Sequence, residues 1–420
     1  MGSLASDPPP PRRPLHETIP PLILGTATFN TQYVENPFEL PSVSIVSRAL
    51  DLGVAAFDTS PYYGPSEIIL GGALAHPSIT SKHARSSYFL VTKAGRISGD
   101  EFDYSPSWVR YSVHRSLRRL HTPYLDLVYM HDVEFVSSAE VLAAVAELRR
   151  LRDEGIIRYV GISGYPVDVL CALAELVLRE TGEPLDAVLS YSHFSIQNTT
   201  LGAPRAMDRL EGAGVDVVLN ASMLGMGLLT TRGADAGPMA SWHPSPEGLR
   251  QACQDLVPVA VAAGEKLEVV AIRWALDNWS RAGAVKGVGA PGKLPDGRQI
   301  GVSVMGVSNV AELEETYRVF NSVVEGLAPE HATDTDLVRR RQWSLDRREK
   351  IQGVVERMWA VLGEWKDFSW SSPDPGFVNT RKPSEMGVIP DDDILVQDTS
   401  KNQVHLKVAE IPAVGLEEIS

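Results

Sequence analysis

The sequence contains few cysteines and no long apolar run. Cys171 and Cys253 are its only cysteines, and both stand in helical patterns, so we expect two buried free thiols and a reducing, cytoplasmic setting. No stretch of about 18 uninterrupted apolar residues occurs, so we expect no transmembrane helix. Residues 1–20 lack the apolar core of a signal peptide and predict a disordered lead-in.

Positive charge is also scarce. The chain has 39 lysines and arginines against 53 acidic residues, which gives a net charge of −14 and a pI of about 5.2. This balance disfavours nucleic acid or an anionic membrane as the main partner. No His-x-His pair stands at a predicted strand end, which argues against a metal-dependent barrel hydrolase, and we expect no metal site.

Short apolar runs, by contrast, recur along most of the chain and alternate with amphipathic helical patterns. The strand candidates are residues 22–26, 54–57, 87–92, 125–130, 157–162, 186–190, 215–220 and 301–305. Repeated strand-then-helix units predict a parallel sheet of the α/β class, and eight such units predict a closed (β/α)8 TIM barrel. The helix after Ser137 opens with a possible capping box to Glu140.

Composition divides the chain into three parts. After the lead-in, residues 21–371 form the predicted barrel domain. Two Gly-rich and Pro-rich segments, 228–250 and 285–300, predict long loops over the barrel mouth. Residues 372–420 contain Pro, Asp and Ser clusters, among them 391–393, and predict a C-terminal extension that is at best partly ordered and dispensable for folding.

Four polar residues follow or close three successive strand candidates: Asp58, Tyr63, Lys93 and His131. Parallel α/β sheets place their chemistry at these carboxyl ends. A free tyrosine has a pKa of about 10, and a nearby ammonium such as that of Lys93 lowers it. Asp58 is expected to hold Lys93, and His131 to hydrogen-bond the reacting oxygen. The set suits proton transfer at a carbonyl or alcohol, coupled to hydride transfer by a nicotinamide.

Each of these residues has an ordinary structural interpretation as well. A strand-end Asp is often a cap, a Tyr in a turn is often packing, and a strand-end Lys is often a solvated charge. Their joint placement on consecutive strand ends makes coincidence the weaker explanation.

The segments "FDTSPYYGPSE", "LVTKAG", "VYMHDVE", "GIIRYVGISGY" and "LGMGLLT" closely resemble the aldo-keto reductase superfamily over residues from about 21 to 325. The resemblance places the catalytic tetrad of that superfamily on Asp58, Tyr63, Lys93 and His131. It implies a nicotinamide cofactor bound in an extended form at the strand carboxyl ends, without a Rossmann glycine fingerprint.

The resemblance also implies a set of cofactor-binding positions. They are Thr26, Ser163, Gly164, Ser190, Ser222, Leu224, Met226, Gly306, Ser308, Asn309, Glu312 and Glu315. Gly164 and Ser190 stand where Asn and Gln are common, and Ala221 stands where a Tyr usually stacks on the nicotinamide. NADP-preferring members carry cations where Gly306 and Glu312 stand, so the resemblance implies NAD rather than NADP.

"LSYSHFSIQNTTL", "NASMLGMGLLT" and the "WHP" that follows resemble a sugar-oxidising branch, the plant L-galactose and fungal D-arabinose dehydrogenases. This implies oxidation of an aldose (D-arabinose, L-galactose or L-fucose type) at C1 to the 1,4-lactone, feeding erythroascorbate or ascorbate synthesis. Tyr63 would be the general base, with His131 and a stacking Trp242 contacting the sugar. Trp242 as plain loop packing is equally consistent with the sequence.

Two alternatives stay open. The same barrel also suits an NADP-dependent reductase of aldehydes or ketones, and cofactor preference separates this from the first interpretation. A redox-sensing regulatory subunit that binds nicotinamide is the alternative of another class. We expect a small sugar as the partner, and a monomer or weak homodimer.

Overall fold

Eight parallel strands close into a barrel in the computed structural model, which describes residues 9–390 apart from 293, 295 and 331–333. The barrel strands are β1 (Leu22–Gly25), β2 (Ala56–Asp58), β3 (Phe89–Ala94), β4 (Leu125–His131), β5 (Ile157–Gly164), β6 (Ala187–Tyr191), β7 (Val217–Ala221) and β10 (Val302–Gly306). Each strand pairs with its neighbour, and β10 closes the ring between β7 and β1. The predicted (β/α)8 barrel is confirmed, and every strand end lies within two residues of its predicted position.

Twelve α-helices surround the barrel in the described part of the chain. They are α1 (Ser42–Leu52), α2 (Ser66–Leu74), α3 (Pro77–Thr80), α4 (Pro106–Arg119), α5 (Ser138–Asp153), α6 (Val167–Thr181), α7 (Pro204–Gly212), α8 (Glu247–Gln254), α9 (Val257–Ala262), α10 (Leu267–Lys286), α11 (Val310–Gly326) and α12 (Thr335–Leu362). None of these helices is long and apolar enough to cross a membrane.

The strands are buried on both faces, which is why they read as near-continuous apolar runs. Side chains such as Tyr129, Tyr159 and Leu189 alternate inward and fill the barrel itself. The intervening residues, such as Val128 and Val160, face the surrounding helices and form the larger core. This packing leaves only the carboxyl ends of the strands and their loops to carry a site.

Two local predictions are confirmed directly. Ser137 and Glu140 form the capping box of α5, in which Glu140 accepts the backbone N–H of Ser137 at 2.8 Å. Cys171 in α6 and Cys253 in α8 are buried free thiols. Burial raises the pKa of Cys171 to about 11 and that of Cys253 to about 12, so neither is a reactive thiolate.

The segment 285–300, predicted to be a loop, contains regular structure instead. Helix α10 continues to Lys286, and β8 (Ala290–Pro291) pairs with β9 (Gln299–Ile300) in a short antiparallel hairpin. Gly289, one of the glycines that suggested a loop, allows close packing instead, because a Cβ there would lie 2.3 Å from the Ile300 carbonyl oxygen. The other predicted loop, 228–250, holds only the short 3₁₀ turn Pro238–Ser241 before α8 begins at Glu247.

In the N-terminal segment, the structure differs from the predicted disordered lead-in at residues 9–20. Residues 9–20 are structured, with Leu15 and Ile19 buried among the side chains that fill the barrel. His16 donates its backbone N–H to Asp216 at 3.0 Å, and Thr18 donates to the hydroxyl of Tyr159 at 3.0 Å. Leu15 and Ile19 are the two apolar residues that attach this segment to one end of the barrel. They were not predicted, because the surrounding prolines and arginines make the segment polar overall.

In the C-terminal extension, residues 372–390 pack against the barrel. The Asn379 side chain pairs with both backbone groups of Phe102, at 3.0 and 2.8 Å. Phe377 lies edge-on to Phe102 and Phe135, with ring centroids 5.9 and 4.9 Å away. Residues 391–420, including the predicted acidic cluster at 391–393, lie outside the described residues.

Candidate active site

A buried ion pair lies at the carboxyl ends of β2 and β3. The Lys93 ammonium donates to Asp58 Oδ1 at 2.6 Å and to the Thr59 carbonyl at 3.0 Å, and its side chain is only 2% exposed. Burial raises the pKa of Asp58, and the ammonium opposes that rise. The pair thus fixes a charged amine at the base of the barrel mouth.

Tyr63 and His131 complete the cluster. The turn after β2 places the Tyr63 ring so that the Lys93 ammonium lies 4.9 Å from its centroid. His131, the last residue of β4, meets the Tyr63 ring edge-on, with centroids 5.7 Å apart. The structure therefore brings together all four residues that the sequence singled out.

His131 is neutral in this environment. Burial lowers the pKa of His131 to about 3, with Lys93 and Arg96 acting in the same direction and Asp132 opposing them. Its Nδ1 lies 3.0 Å from the Ser60 hydroxyl, which also accepts the backbone N–H of Tyr62 at 3.2 Å. The hydroxyl proton of Ser60 is then available for Nδ1, which leaves Nε2 as the donor of a neutral imidazole.

The predicted lowering of the Tyr63 pKa is wrong for this structure. Burial raises the pKa of Tyr63 well above its usual value, and the carboxylates of Asp58 and Asp132 add to the rise. The cation that acts against them is Arg96, while the charge of Lys93 is held by Asp58 at 2.6 Å. Desolvation and two carboxylates outweigh the nearby positive charge.

Arg96 and Asp132 are residues that the sequence analysis missed. They form an ion pair in which Arg96 is 14% exposed and Asp132 only 2% exposed, and the guanidinium lies 3.9 Å over the Tyr62 ring. Asp132 Oδ2 is 3.7 Å from His131 Nε2. Asp132 also adopts a left-handed conformation with φ of 57°, which is uncommon for a residue other than glycine. Arg96 lies two residues after β3 and Asp132 directly after β4. These positions at strand ends could have indicated that both residues belong to the site.

The ends of β5 and β6 hold the positions expected to contact a nicotinamide. His131 is in register with Ser163, and Gly164 with Ser190. Ser163 donates to the Met130 carbonyl at 3.3 Å, whereas the buried Ser190 hydroxyl has no partner in the described residues. Tyr191, which packs against the residues that fill the barrel, is in register with Ala221, the position where a stacking Tyr was missing.

The segment after β7 bends sharply. Ser222 and Met226 have φ of 55° and 53°, and Gly225 and Gly227 also adopt positive φ. Leu224 and Met226 are partly buried against the core. The N–H groups of Gly225 and Gly227 donate to the Ser222 and Leu224 carbonyls at 2.8 and 3.2 Å, so this turn is closed by its own hydrogen bonds.

The start of α11 carries the adenosine positions that the resemblance implies. Gly306 ends β10, and Asn309 caps α11 by accepting the Glu312 N–H at 2.9 Å. The Glu312 carboxylate accepts from the backbone N–H and the hydroxyl of Ser308 at 2.8 and 3.0 Å, and it remains exposed. Glu315 is also exposed, three residues further along the helix, and these two carboxylates give the edge a negative charge.

Thr26 and Trp242, two of the expected contact residues, make hydrogen bonds within the protein. Thr26 is fully buried, and its hydroxyl bonds to the Asp58 carbonyl and to Ser66, so it supports the strand ends from below. Trp242 donates its indole N–H to the Gln32 carbonyl at 2.8 Å and meets the Tyr33 ring edge-on at 5.4 Å. These contacts hold the 228–250 loop against the loop after β1.

Trp370 is a further residue that the sequence analysis missed. It stacks on Tyr165 with ring centroids 4.4 Å apart, and the neighbouring Ser369 hydroxyl lies 3.1 Å from His193 Nε2. The chain after α12 thus reaches the loop that follows β5. No local pattern around residue 370 signals a contact with a segment two hundred residues earlier.

The sequence model described as the Aldo/keto reductase family matches residues 21–325. The chain is 39% identical over 310 residues to D-arabinose 1-dehydrogenase of Saccharomyces cerevisiae, covering 73% of this chain and 85% of that protein. It is 33% identical over 277 residues to L-galactose dehydrogenase of Arabidopsis thaliana, covering 65% and 76%. A solved glycerol dehydrogenase from Gluconobacter oxydans shares the fold, with a TM-score of 0.53 at 21% identity over 87% of this chain and 98% of that one.

Proposed function

Because this chain belongs to the aldo/keto reductase family, we propose that it oxidises an aldose of the D-arabinose, L-galactose or L-fucose type at C1 to the 1,4-lactone, with NAD as the oxidant. The observation that carries the proposal is the convergence of Asp58, Lys93, Tyr63 and His131 at neighbouring strand ends. Similarity to two dehydrogenases named for aldoses supports the choice of substrate class.

Tyr63 is the proposed proton acceptor. Oxidation at C1 removes a proton and a hydride, and a bound nicotinamide supplies the hydride acceptor. The Tyr63 phenolate takes the proton from the anomeric hydroxyl, and the Lys93 ammonium near its ring stabilises that phenolate against the burial that raises the pKa of Tyr63. Asp58 holds the ammonium in place through a contact of 2.6 Å.

His131 positions the sugar oxygen. A neutral imidazole with Nε2 protonated donates a hydrogen bond to the anomeric oxygen without competing for its proton. Ser60 at Nδ1 fixes the ring orientation. The Asp132–Arg96 pair beside Nε2 offers an acceptor and donors to the remaining hydroxyls of the sugar.

The residues present fit a nicotinamide cofactor. Ser163 and the unpartnered Ser190 hydroxyl lie beside the tetrad, and the turn from Ser222 to Gly227, which follows β7, is the proposed contact for the phosphates. Glu312 and Glu315 favour NAD over NADP, because a ribose hydroxyl donates to a carboxylate, whereas a 2′-phosphate is repelled by it.

A panel of aldoses with NAD and with NADP, followed at the nicotinamide absorbance, tests the proposal. We expect NAD-dependent oxidation of one or more of the named sugars. Tyr63→Phe keeps the ring but removes the proton acceptor, and we expect turnover to fall about 10²- to 10⁴-fold with NAD binding nearly intact. A mutant with most of its activity would contradict the role of Tyr63, and faster reduction of aldehydes with NADPH would favour the reductase alternative.

A further inference from the structure

A buried carboxyl oxygen near the expected nicotinamide position has no partner. Oε2 of Glu134, in the short turn after β4, makes no hydrogen bond within the described part of the chain, although the atom is buried. A buried polar atom without a partner is costly, and such atoms are found where a ligand completes the site. The resemblance assigned no role to Glu134.

Gly164 lies directly against this carboxyl group. A Cβ added at Gly164 would stand 2.4 Å from Glu134 Oε2, a distance that real Cβ atoms do not reach. The backbone at Gly164 does not adopt positive φ, so conformation does not require a glycine there. Position 164 therefore requires a glycine for steric reasons, because the Glu134 carboxyl occupies the volume that a larger side chain would fill.

The other oxygen of Glu134 holds the group in place. Oε1 accepts the backbone N–H of Tyr165 at 3.0 Å and the Ser372 hydroxyl at 2.8 Å. Burial, together with Asp132, raises the pKa of Glu134 to about 8. Oε1 of the carboxyl group is thus held by two donors, whereas Oε2 has neither a hydrogen-bond donor nor a positive charge beside it in the described residues.

We propose that Glu134 recognises the carboxamide of the nicotinamide, with Oε2 accepting a hydrogen bond from its NH2 group. This rests on the proposed function, which places the nicotinamide beside Ser163 and Ser190. Gly164 and Ser190 leave no amide side chain at these two positions, and the Glu134 carboxyl lies where one at 164 would be. The positive ring of bound NAD favours the ionised form of Glu134 over the protonated form that burial favours in the free protein. An ionised carboxylate only accepts hydrogen bonds, so it fits an amide nitrogen with two N–H donors. The positive ring of oxidised NAD supplies the opposite charge that the group lacks.

The test measures binding by calorimetric titration of the full-length protein with two nucleotides. One is NAD and the other is its 3-acetylpyridine analogue, in which a methyl group replaces the NH2. We expect the wild-type protein to bind NAD at least about tenfold more tightly than the analogue, since a hydrogen bond to a charged acceptor is lost. Glu134→Ala should bind both nucleotides with nearly equal affinity.

Three further variants make the result specific. Glu134→Gln keeps the acceptor for Tyr165 N–H but turns an NH2 toward the carboxamide NH2, so we expect the same loss of preference from a protein of nearly unchanged shape. The double variant Glu134→Ala/Gly164→Asn returns an amide to the vacated volume and should restore part of the preference. Glu140→Ala, a glutamate of the same connection that only caps α5, should leave the ratio unchanged.

The outcomes separate the two proposals. A wild-type protein that binds neither nucleotide contradicts the proposed function itself. A wild-type protein that binds NAD, with Glu134→Ala and Glu134→Gln both keeping the wild-type ratio of affinities, leaves the function standing and overturns the role of Glu134.

Discussion

Arg381 offers the sharpest test of whether the C-terminal extension belongs to the folded domain. Its guanidinium donates to Asp103 Oδ2 and contacts Glu101 Oε1, both at 3.0 Å, and lies 4.2 Å from the Trp108 ring centroid. The Asp103 side chain is completely buried, and that of Arg381 is 11% exposed. The substitution Arg381→Ala would leave a buried carboxylate without its cation.

The loss of unfolding free energy in Arg381→Ala depends on how many hydrogen-bond donors Asp103 keeps. Removing one partner of a buried ion pair costs about 3–5 kcal/mol. Asp103 keeps the backbone N–H of Gly387 at 2.8 Å and the N–H and hydroxyl of Ser105 at 3.0 and 2.5 Å. We therefore expect the lower end of the range, about 3 kcal/mol of unfolding free energy. Deleting 372–420 should cost more, because it also removes Phe377 and Asn379 from Phe102.

Equilibrium unfolding in urea, followed by tryptophan fluorescence, measures the effect. The matched control is Lys382→Ala, the next residue, whose side chain is 74% exposed, and we expect no change in its midpoint. Deleting only 391–420 removes none of the contacts described for residues 9–390. If Arg381→Ala unfolds at the wild-type midpoint, the Arg381–Asp103 pair contributes nothing to stability, and if deletion of 372–420 also leaves the midpoint unchanged, the expectation of a dispensable tail is right.

The remaining predictions concern the cofactor and the proton. Glu312→Arg should shrink or reverse a preference for NAD of at least about tenfold (~1.4 kcal/mol), mainly through the Michaelis constant of the cofactor; Glu312→Gln keeps an acceptor for Ser308 and should shift the ratio less. An unchanged ratio in the arginine variant would show that Glu312 does not contact the 2′ position. Lys93→Met should move residual activity to higher pH, because loss of the ammonium raises the Tyr63 pKa further, and an unchanged pH profile would refute this role of Lys93.

The barrel could be predicted from the sequence because its signal is local and repeated. Each strand is a short apolar run buried on both faces, and each helix has its own periodicity and caps. The N-terminal and C-terminal segments carry no such repeat. Leu15 and Ile19 are two apolar residues in a polar stretch, and Asn379 and Arg381 act through partners almost three hundred residues away. Contacts of that kind leave no periodic trace in the chain.

Within the site, residue positions could be predicted better than their environments. Strand ends fixed where Asp58, Lys93 and His131 would lie, since parallel strands bring their carboxyl ends to one edge. The role of Gly164 could not be read the same way, because a glycine at a strand end signals a turn as readily as a close approach. Only the distance to Glu134 separates the two meanings.

The charge balance around Tyr63 could not be predicted from the sequence either, because it depends on which charged groups pair in space. Lys93 looked like the cation that ionises the phenol, but its charge is matched by Asp58, and Arg96 is matched by Asp132. Two balanced pairs leave desolvation as the largest influence, so the phenol stays protonated. A protonated Tyr63 can donate a proton to a carbonyl oxygen, whereas oxidation of an anomeric hydroxyl requires the ionised form. A raised pKa of Tyr63 therefore favours proton donation to a carbonyl oxygen at neutral pH and proton removal from a hydroxyl as the pH rises, and any positive charge bound beside the ring shifts that balance toward proton removal.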